Sequence, residues 1–259
     1  MTDIAVIILS KNEALHIRRC LERLKELNPR QIFVVDCFST DGSDRTAADM
    51  GATVVQHEWP GLYAKQFNWA LDNLPIKATW VLRLDADEYL TAETAARLRD
   101  ELPRLSDEVA GLTLELKRKF LGGEIRHGTN GIRLLRAWRY GKGRLEDRAM
   151  DEHAIVDGEV IDFDGAFYDD NLNTMDWWRE KHRGYARREA VDALAGEKFK
   201  SSKAFYYRCP RYLRAVAYFL YRYVLRLGFL DGRAGWMWHF WQGLWYRWLV
   251  DREIGRVST

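Results

Sequence analysis

Four short apolar runs rich in β-branched residues constrain this chain more than any other feature: IAVIIL (Ile4–Leu9), IFVVD (Ile32–Asp36), ATVV (Ala52–Val55) and WVLRLD (Trp80–Asp85). Runs of this kind are buried on both faces, as in parallel sheets. The segments between them, Glu13–Leu27, Ser43–Met50 and Tyr63–Leu74, place apolar residues at helical spacing, for example Leu15, Leu21 and Leu24 in the first. Gly51 suits the C-terminal cap of the second. Repeated β-α-β units demand right-handed crossovers and a doubly wound sheet, whose ligand crevice lies beyond the carboxyl ends of its strands. Farther on, Thr91–Leu102 reads as a helix, and GLTLEL, GIRLLR and HAIVDGEV read as strands, antiparallel pairs among them, with a turn at Gly122–Gly123. From about Thr174 the pattern is helical and aromatic. The expected fold is therefore α/β: a doubly wound mixed sheet flanked by helices, with a C-terminal helical extension that is aromatic and basic.

A chain of 259 residues, 47% hydrophobic and 30% charged, buries a sizeable core without metal or disulfide staples and is not a disordered polymer. Three widely spaced cysteines, Cys20, Cys37 and Cys209, support neither a disulfide framework nor a zinc site and read as reduced thiols. The opening MTDIAVIIL lacks the basic region and cleavage site of a signal peptide. The longest charge-free stretch of the tail, Ala234 to Tyr246, has thirteen residues. A bilayer-spanning helix needs ~20. These features lead us to expect a cytoplasmic protein.

The chemistry-bearing residues fall where strands end. After the first strand comes SKNEA (Ser10–Ala14), not the G-x-G-x-x-G of a dinucleotide site, which argues against NAD. After the second comes DCFSTDGS, where Asp36 is placed to accept hydrogen bonds from a base or ribose and Asp41–Ser43 read as a capped turn. The fourth ends in LDADEYL, with Asp85 and Asp87 on one side of an extended chain. Two like charges held so close favour a hard divalent cation such as Mg²⁺ or Mn²⁺ between or beside them.

The order IILSKNEA, VVDCFSTDGS, YAKQFNWAL, LRLDADEYL resembles the nucleotide-sugar half of family 2 glycosyltransferases, which have the GT-A fold. The later DEHAIVDGEV and DDNLNTMDWWREKHRGYARREA are similar to a subgroup that builds bacterial surface polysaccharide and lipopolysaccharide core. The resemblance implies that Ser10, Asn12 and Glu13 line the nucleoside pocket, that Asp36 reads the uracil, and that Lys65 and Asn68 meet the nucleotide side. Lys65 stands where the family has Arg, keeping the charge and losing the bidentate geometry. Asp85 would touch ribose or metal, and Asp87 would be the principal ligand of Mn²⁺ or Mg²⁺. The third ligand, often a His in relatives, falls here on Asp169 or Asp170, of which we take Asp169. The general base comes from LEDRAMDE (Glu146, Asp147, Asp151, Glu152): Glu152 first, Asp151 next, with His153 structural. The implied organisation is a catalytic domain over 1–173, divided into a nucleotide-sugar half (1–100) and an acceptor half (101–173), and a membrane-associating extension over 174–259. The implied activity is inverting transfer from a nucleotide-sugar donor to a lipid-linked glycan acceptor.

From Glu197 to Thr259, twelve Lys/Arg face four Asp/Glu, a balance of +8 within a chain whose net charge is +2. Arg208, Arg211, Arg214, Arg222 and Arg226 fall on one helical face, with Leu213, Val216, Ala217, Leu220, Val224 and Leu227 opposite. Trp238, Trp241, Trp245 and Trp248 form a stripe on a second helix. Arg and Trp together suit the headgroup region of an anionic membrane surface. This places the protein on the inner face of the cytoplasmic membrane. No nucleic-acid motif accompanies the tail. A binding module with a degenerate transferase core is the rival from another class. A sugar-phosphate nucleotidyltransferase would need a Gly-rich basic loop where SKNEA stands.

Overall fold

The structure is a computed structural model and describes residues 1–129, 131–147, 153–194 and 206–257. The chain forms two compact units, one of 1–117 with 131–172, the other of 118–130 with 173–259. Residues 118–130 thus group with the helical part of the chain, although they stand well before residue 173 in sequence.

In the first unit, β1 (Thr2–Ser10) lies between β2 (Pro29–Asp36) and β4 (Trp80–Asp85), parallel to both, and β3 (Thr53–Gln56) adds to β2. Beyond β4 the pairing turns antiparallel through β8 (Ile132–Arg139) and β6 (Val109–Phe120). β11 (Glu159–Asp170) and β5 (Glu88–Leu90) complete an order β3-β2-β1-β4-β8-β6-β11-β5, with β7 (Gly123–Ile125) attached to β6. The mixed sheet flanked by helices is the expected one. Its strands read as continuous apolar runs because both faces are covered: Ile4, Val6 and Ile8 enter one core with Leu82, Leu84 and Leu112, while Ala5, Ile7 and Leu9 enter another with Phe67, Val81 and Trp138.

The helices α2 (Ser43–Asp49), α3 (Tyr63–Asn73) and α4 (Ala92–Glu101) match the sequence reading within a residue or two. The first helix is shorter than its apolar spacing predicts. α1 covers only Ile17–Glu22, because Asn12 takes a positive φ of 55° and the Ala14 amide donates to Asp41 Oδ2, while i→i+3 bonds close the chain after Glu22. HAIVDGEV likewise divides into β10 (Ala154–Val156) and the start of β11, at a turn where Gly158 has φ +130°. β10 pairs with β9 (Gly143–Leu145) in a separate two-stranded ribbon.

The second unit is built on α5 (Met175–Leu194), α6 (Leu213–Leu220), α7 (Gly232–Trp238) and α8 (Tyr246–Val257), with π-helical turns at Tyr221–Leu225 and His239–Trp245. Ala186 and Ala190 of α5 pack on Tyr246, Leu249, Val250 and Ile254 of α8. Phe120, Ile125, Trp178 and Trp238 form a second cluster, which needs β7 close to α7: a Cβ on Gly123 would stand 2.4 Å from that of Ala234. Among the described residues no helix is long and apolar enough to cross a membrane.

Two expectations for the tail are corrected. Of the Trp stripe, Trp238 is buried against Phe120, and Trp241 and Trp245 pack on each other and on the same cluster, so only Trp248 is exposed. Of the basic face, Arg214 and Arg222 are buried. Arg214 Nε donates to Asp251 Oδ1 at 2.8 Å, and Arg222 Nε donates to the Gly128 carbonyl at 2.9 Å. A buried guanidinium needs such partners, and they lie far away in sequence.

Candidate active site

Strand register brings the polar groups level: Ser10 stands beside Asp36, and Leu9 beside Asp85. The loops after β1 and β2 are bonded into one surface. Lys11 Nζ donates to the carbonyls of Cys37 (2.5 Å) and Phe38 (2.9 Å). The Asn12 amide donates to Ser39 Oγ, and Asn12 Oδ1 accepts from the Thr40 amide, both at 2.8 Å. Asp36 is fully buried, and its carboxylate accepts from the Ser39 amide (2.8 Å) and Ser39 Oγ (2.5 Å). Its role in this structure is to hold the loop after β2. Asp41 accepts from the amides of Ala14 and Ser43, and these bonds, working against burial, hold its carboxyl below the usual range. The capped-turn reading of Asp41–Ser43 describes it well.

On α3, Lys65 is exposed, but Asn68 spends both ends of its amide on Leu145, donating to the carbonyl at 2.9 Å and accepting from the amide at 3.0 Å. Of the pair expected at the nucleotide, Asn68 clamps β9.

The end of β4 meets the end of β11. Asp169 pairs in register with Glu88, the Asp170 amide donates to the Asp87 carbonyl (3.2 Å), and Asn171 Nδ2 donates to Asp87 Oδ2 at 2.9 Å. Burial, then repulsion from Asp169 and Asp85, pushes the Asp87 carboxyl up to about 6 against the Asn171 hydrogen bond. Asp170 is engaged elsewhere, in an ion pair with Arg19 at 2.7 Å, which leaves Asp169 as the acid that faces Asp87. Asp85 is part exposed, with Arg83 3.9 Å away.

Several groups at this end escaped the sequence reading. Glu88 is buried against Arg136 at 2.5 Å and accepts from the Asp85 amide, and burial pushes its carboxyl up to about 8 despite that cation. His16, also buried, accepts from the Leu172 amide on Nε2 (2.8 Å), so its neutral ring carries its proton on Nδ1 toward Glu13 Oε2 at 2.5 Å. Glu88 and Asn171 are at least adjacent in sequence to the acids singled out. Nothing in GIRLLR marks Arg136, since its role arises from the strand pairing. Asp151 and Glu152, expected as the base, lie outside the described residues.

Among the described residues no group of three or more His, Cys, Asp or Glu is arranged to hold a metal ion. The donor chemistry at Asp85, Asp87 and Asp169 nonetheless fits a hard cation, which commonly keeps waters and substrate phosphates and takes only one or two carboxylates. The repulsion that raises Asp87 is what such an ion would relieve.

The family model described as "Glycosyl transferase family 2" matches residues 5–155. An uncharacterized glycosyltransferase of Rickettsia felis is 36% identical over 102 residues, 39% of this chain and 33% of that protein. One from Rickettsia bellii is 37% identical over 99 residues, 38% of this chain and 31% of the relative. The chain thus spans about a third of the length of the curated relatives it matches. Among solved structures, S. aureus TarS 1-349 in complex with UDP-GlcNAc is similar over 99% of this chain and 92% of its own, at 14% identity and TM-score 0.47. Glucosyl-3-phosphoglycerate synthase from Mycobacterium tuberculosis, in complex with Mn²⁺, UDP and glucosyl-3-phosphoglycerate, is similar over 44% of this chain and 43% of its own, at 18% identity and TM-score 0.36.

Proposed function

This chain belongs to glycosyl transferase family 2, and on that premise we propose that it is a glycosyltransferase that moves a sugar from a UDP-sugar to a lipid-linked glycan acceptor, with inversion, in bacterial surface-polysaccharide or lipopolysaccharide synthesis. The observation that carries the reading is the placement of Asp87: a carboxylate held near Asp85 and Asp169 at the tips of β4 and β11, at the cost of its own ionisation. Structural acids are ordinarily placed so that their charge is favoured. Acids with raised pKa values cluster at functional sites, and Asp87 combines that shift with two neighbouring carboxylates at a strand end.

Asp87, with Asp85 or Asp169, would hold Mn²⁺ or Mg²⁺. Such an ion, when bound, neutralises charge gathering on a departing diphosphate. The loop surface from Lys11 to Asp41 receives the nucleoside, and Asp36 shapes it through Ser39. Lys65 supplies an exposed cation for the donor's phosphates. Glu152, with Asp151 as second candidate, takes the proton from the acceptor hydroxyl. Asn171 and the Asp170 amide fix Asp87 in place, and Glu13 is steadied by His16. The membrane contact sets the protein on the cytoplasmic leaflet, where a lipid-linked acceptor is within reach.

A panel of nucleotide sugars tests the reading. One UDP-sugar is expected to be hydrolysed or transferred only with Mn²⁺ or Mg²⁺ present. Binding of none of the panel, with or without the ion, would overturn it.

A further inference from the structure

Residues 213–225 run as one helical segment, α6 and the π-helical turn after it, and its faces are reversed relative to an ordinary surface helix. Arg214, Ala215 and Arg222 are buried. Leu213, Ala217, Leu220 and Val224, at spacings of four, three and four, are exposed. The reversal is fixed by buried partners. Asp251 is fully buried and accepts from both Arg214 and the Tyr212 amide, and the Arg214 guanidinium lies over the Tyr207 ring at 4.6 Å. Rotating the segment to bury its leucines would withdraw Arg214 and strand that carboxylate in the core, which is the costlier outcome.

The exposed apolar surface continues beyond the stripe. Leu225 is 73% exposed, Leu230 55% and Phe229 44%. So many exposed apolar side chains within residues 213–230 mark a surface that meets something. The charges of the same stretch of chain say what. Among the described residues of 206–257, every exposed charged side chain is an arginine: Arg208, Arg211, Arg233, Arg252 and Arg256. The acids of the same stretch, Asp231, Asp251 and Glu253, are turned inward or paired, with His127, Arg214 and Arg256 respectively. A second copy of the chain would bring arginine against arginine, which costs free energy at an interface. An anionic lipid surface accepts both parts at once, the leucines below the headgroups and the arginines among them.

We propose that residues 213–230 are the membrane-docking face of the protein, lying in the plane of an anionic leaflet with Leu213, Leu220, Val224, Leu225, Phe229 and Leu230 toward the acyl chains. This deepens the membrane contact put forward above and replaces the Trp stripe as the surface that makes it. Co-sedimentation of the full chain with vesicles of phosphatidylglycerol and phosphatidylcholine, against phosphatidylcholine alone, tests it without donor or acceptor. The wild type is expected to partition onto the mixed vesicles. Leu225→Asp with Leu230→Asp should weaken partition at least about tenfold at an unchanged melting temperature. Arg211→Glu with Arg233→Glu should lower binding to the anionic vesicles alone. Equal partition of the wild type and the leucine variant would overturn the proposal, as would a wild-type dimer that the leucine substitutions convert to monomer. Donor hydrolysis on the same preparation without vesicles separates the two readings: a protein that turns over donor but ignores vesicles refutes the docking face alone, whereas one that binds vesicles through these leucines and uses no nucleotide sugar upholds it and refutes the donor assignment.

Discussion

The sheet and the C-terminal helices carry comparable densities of charged and apolar residues, yet sequence pattern places the first correctly and turns one segment of the second, residues 213–225, inside out. A strand buried on both faces has no inside to choose: Ile4 through Leu9 are all buried, whichever core each enters. An amphipathic helix does have a choice. Periodicity divides residues 208–227 into a basic and an apolar face but does not say which points inward. In water the default is basic outward. Here the default loses, because Asp251 and the Gly128 carbonyl supply internal partners for two of the arginines from distant parts of the chain.

Breaking that internal pairing has the largest expected effect. Asp251→Ala leaves Arg214 buried without its carboxylate and should destabilise the second unit by ~3–5 kcal/mol. Leu225→Ser, on the exposed face of the same segment, should stay within about 0.5 kcal/mol of wild type. Chemical denaturation monitored by tryptophan fluorescence measures both, since seven of the eleven Trp lie beyond residue 176. Equal costs at the two positions would mean the helix is the ordinary way round.

At the strand tips the expected pattern is opposite, with activity lost and stability kept. Asp87→Asn should cost at least ~10²-fold in turnover, because it removes the acid proposed to hold the ion. The melting temperature should hold or rise, since the neutral amide escapes the burial and repulsion that push the carboxyl up to about 6. Unchanged turnover would detach Asp87 from the chemistry.

What was legible follows the same division. Asp85 and Asp87 could be named from their position after β4, because a doubly wound sheet gathers its chemistry at the carboxyl ends of its strands, whereas Asp169 entered only through the family resemblance. The contacts that hold them could not. Arg136 reaches Glu88 only through the antiparallel half of the sheet, and His16 joins Glu13 to Leu172 across 156 residues of sequence. Asp36 and Asn68 lie in the region the motif indicated, but the structure gives each a backbone to hold. A motif specifies residue types in order, whereas a hydrogen bond depends on the register of segments that the motif does not contain.

The second unit should lose stability in acid. Burial, with Arg222 close by, pushes the His239 imidazole down from 6.5 to about 4. Between those values the unfolded chain binds a proton that the folded chain refuses, so stability present above about 6.5 is lost as the pH falls toward 4. Thermal melts at pH 7 and pH 5 should show the loss in the tryptophan signal, and His239→Gln should reduce its pH dependence. A melting temperature that rises on acidification would contradict the assignment.

The smallest effect decides a single residue. If Asn68 meets the donor, as the motif order implies, Asn68→Ala should raise the donor KM and leave folding alone. The structure points the other way, because both amide ends are held by the Leu145 peptide. Their loss leaves a backbone amide and carbonyl without those partners, worth ~1–2 kcal/mol of stability. The expected variant therefore melts a few degrees lower at a KM within about twofold of wild type, while Lys65→Ala, exposed one turn earlier on α3, raises KM without lowering the melting temperature. The reverse assignment of the two effects would restore Asn68 to the nucleotide and make the clamp incidental.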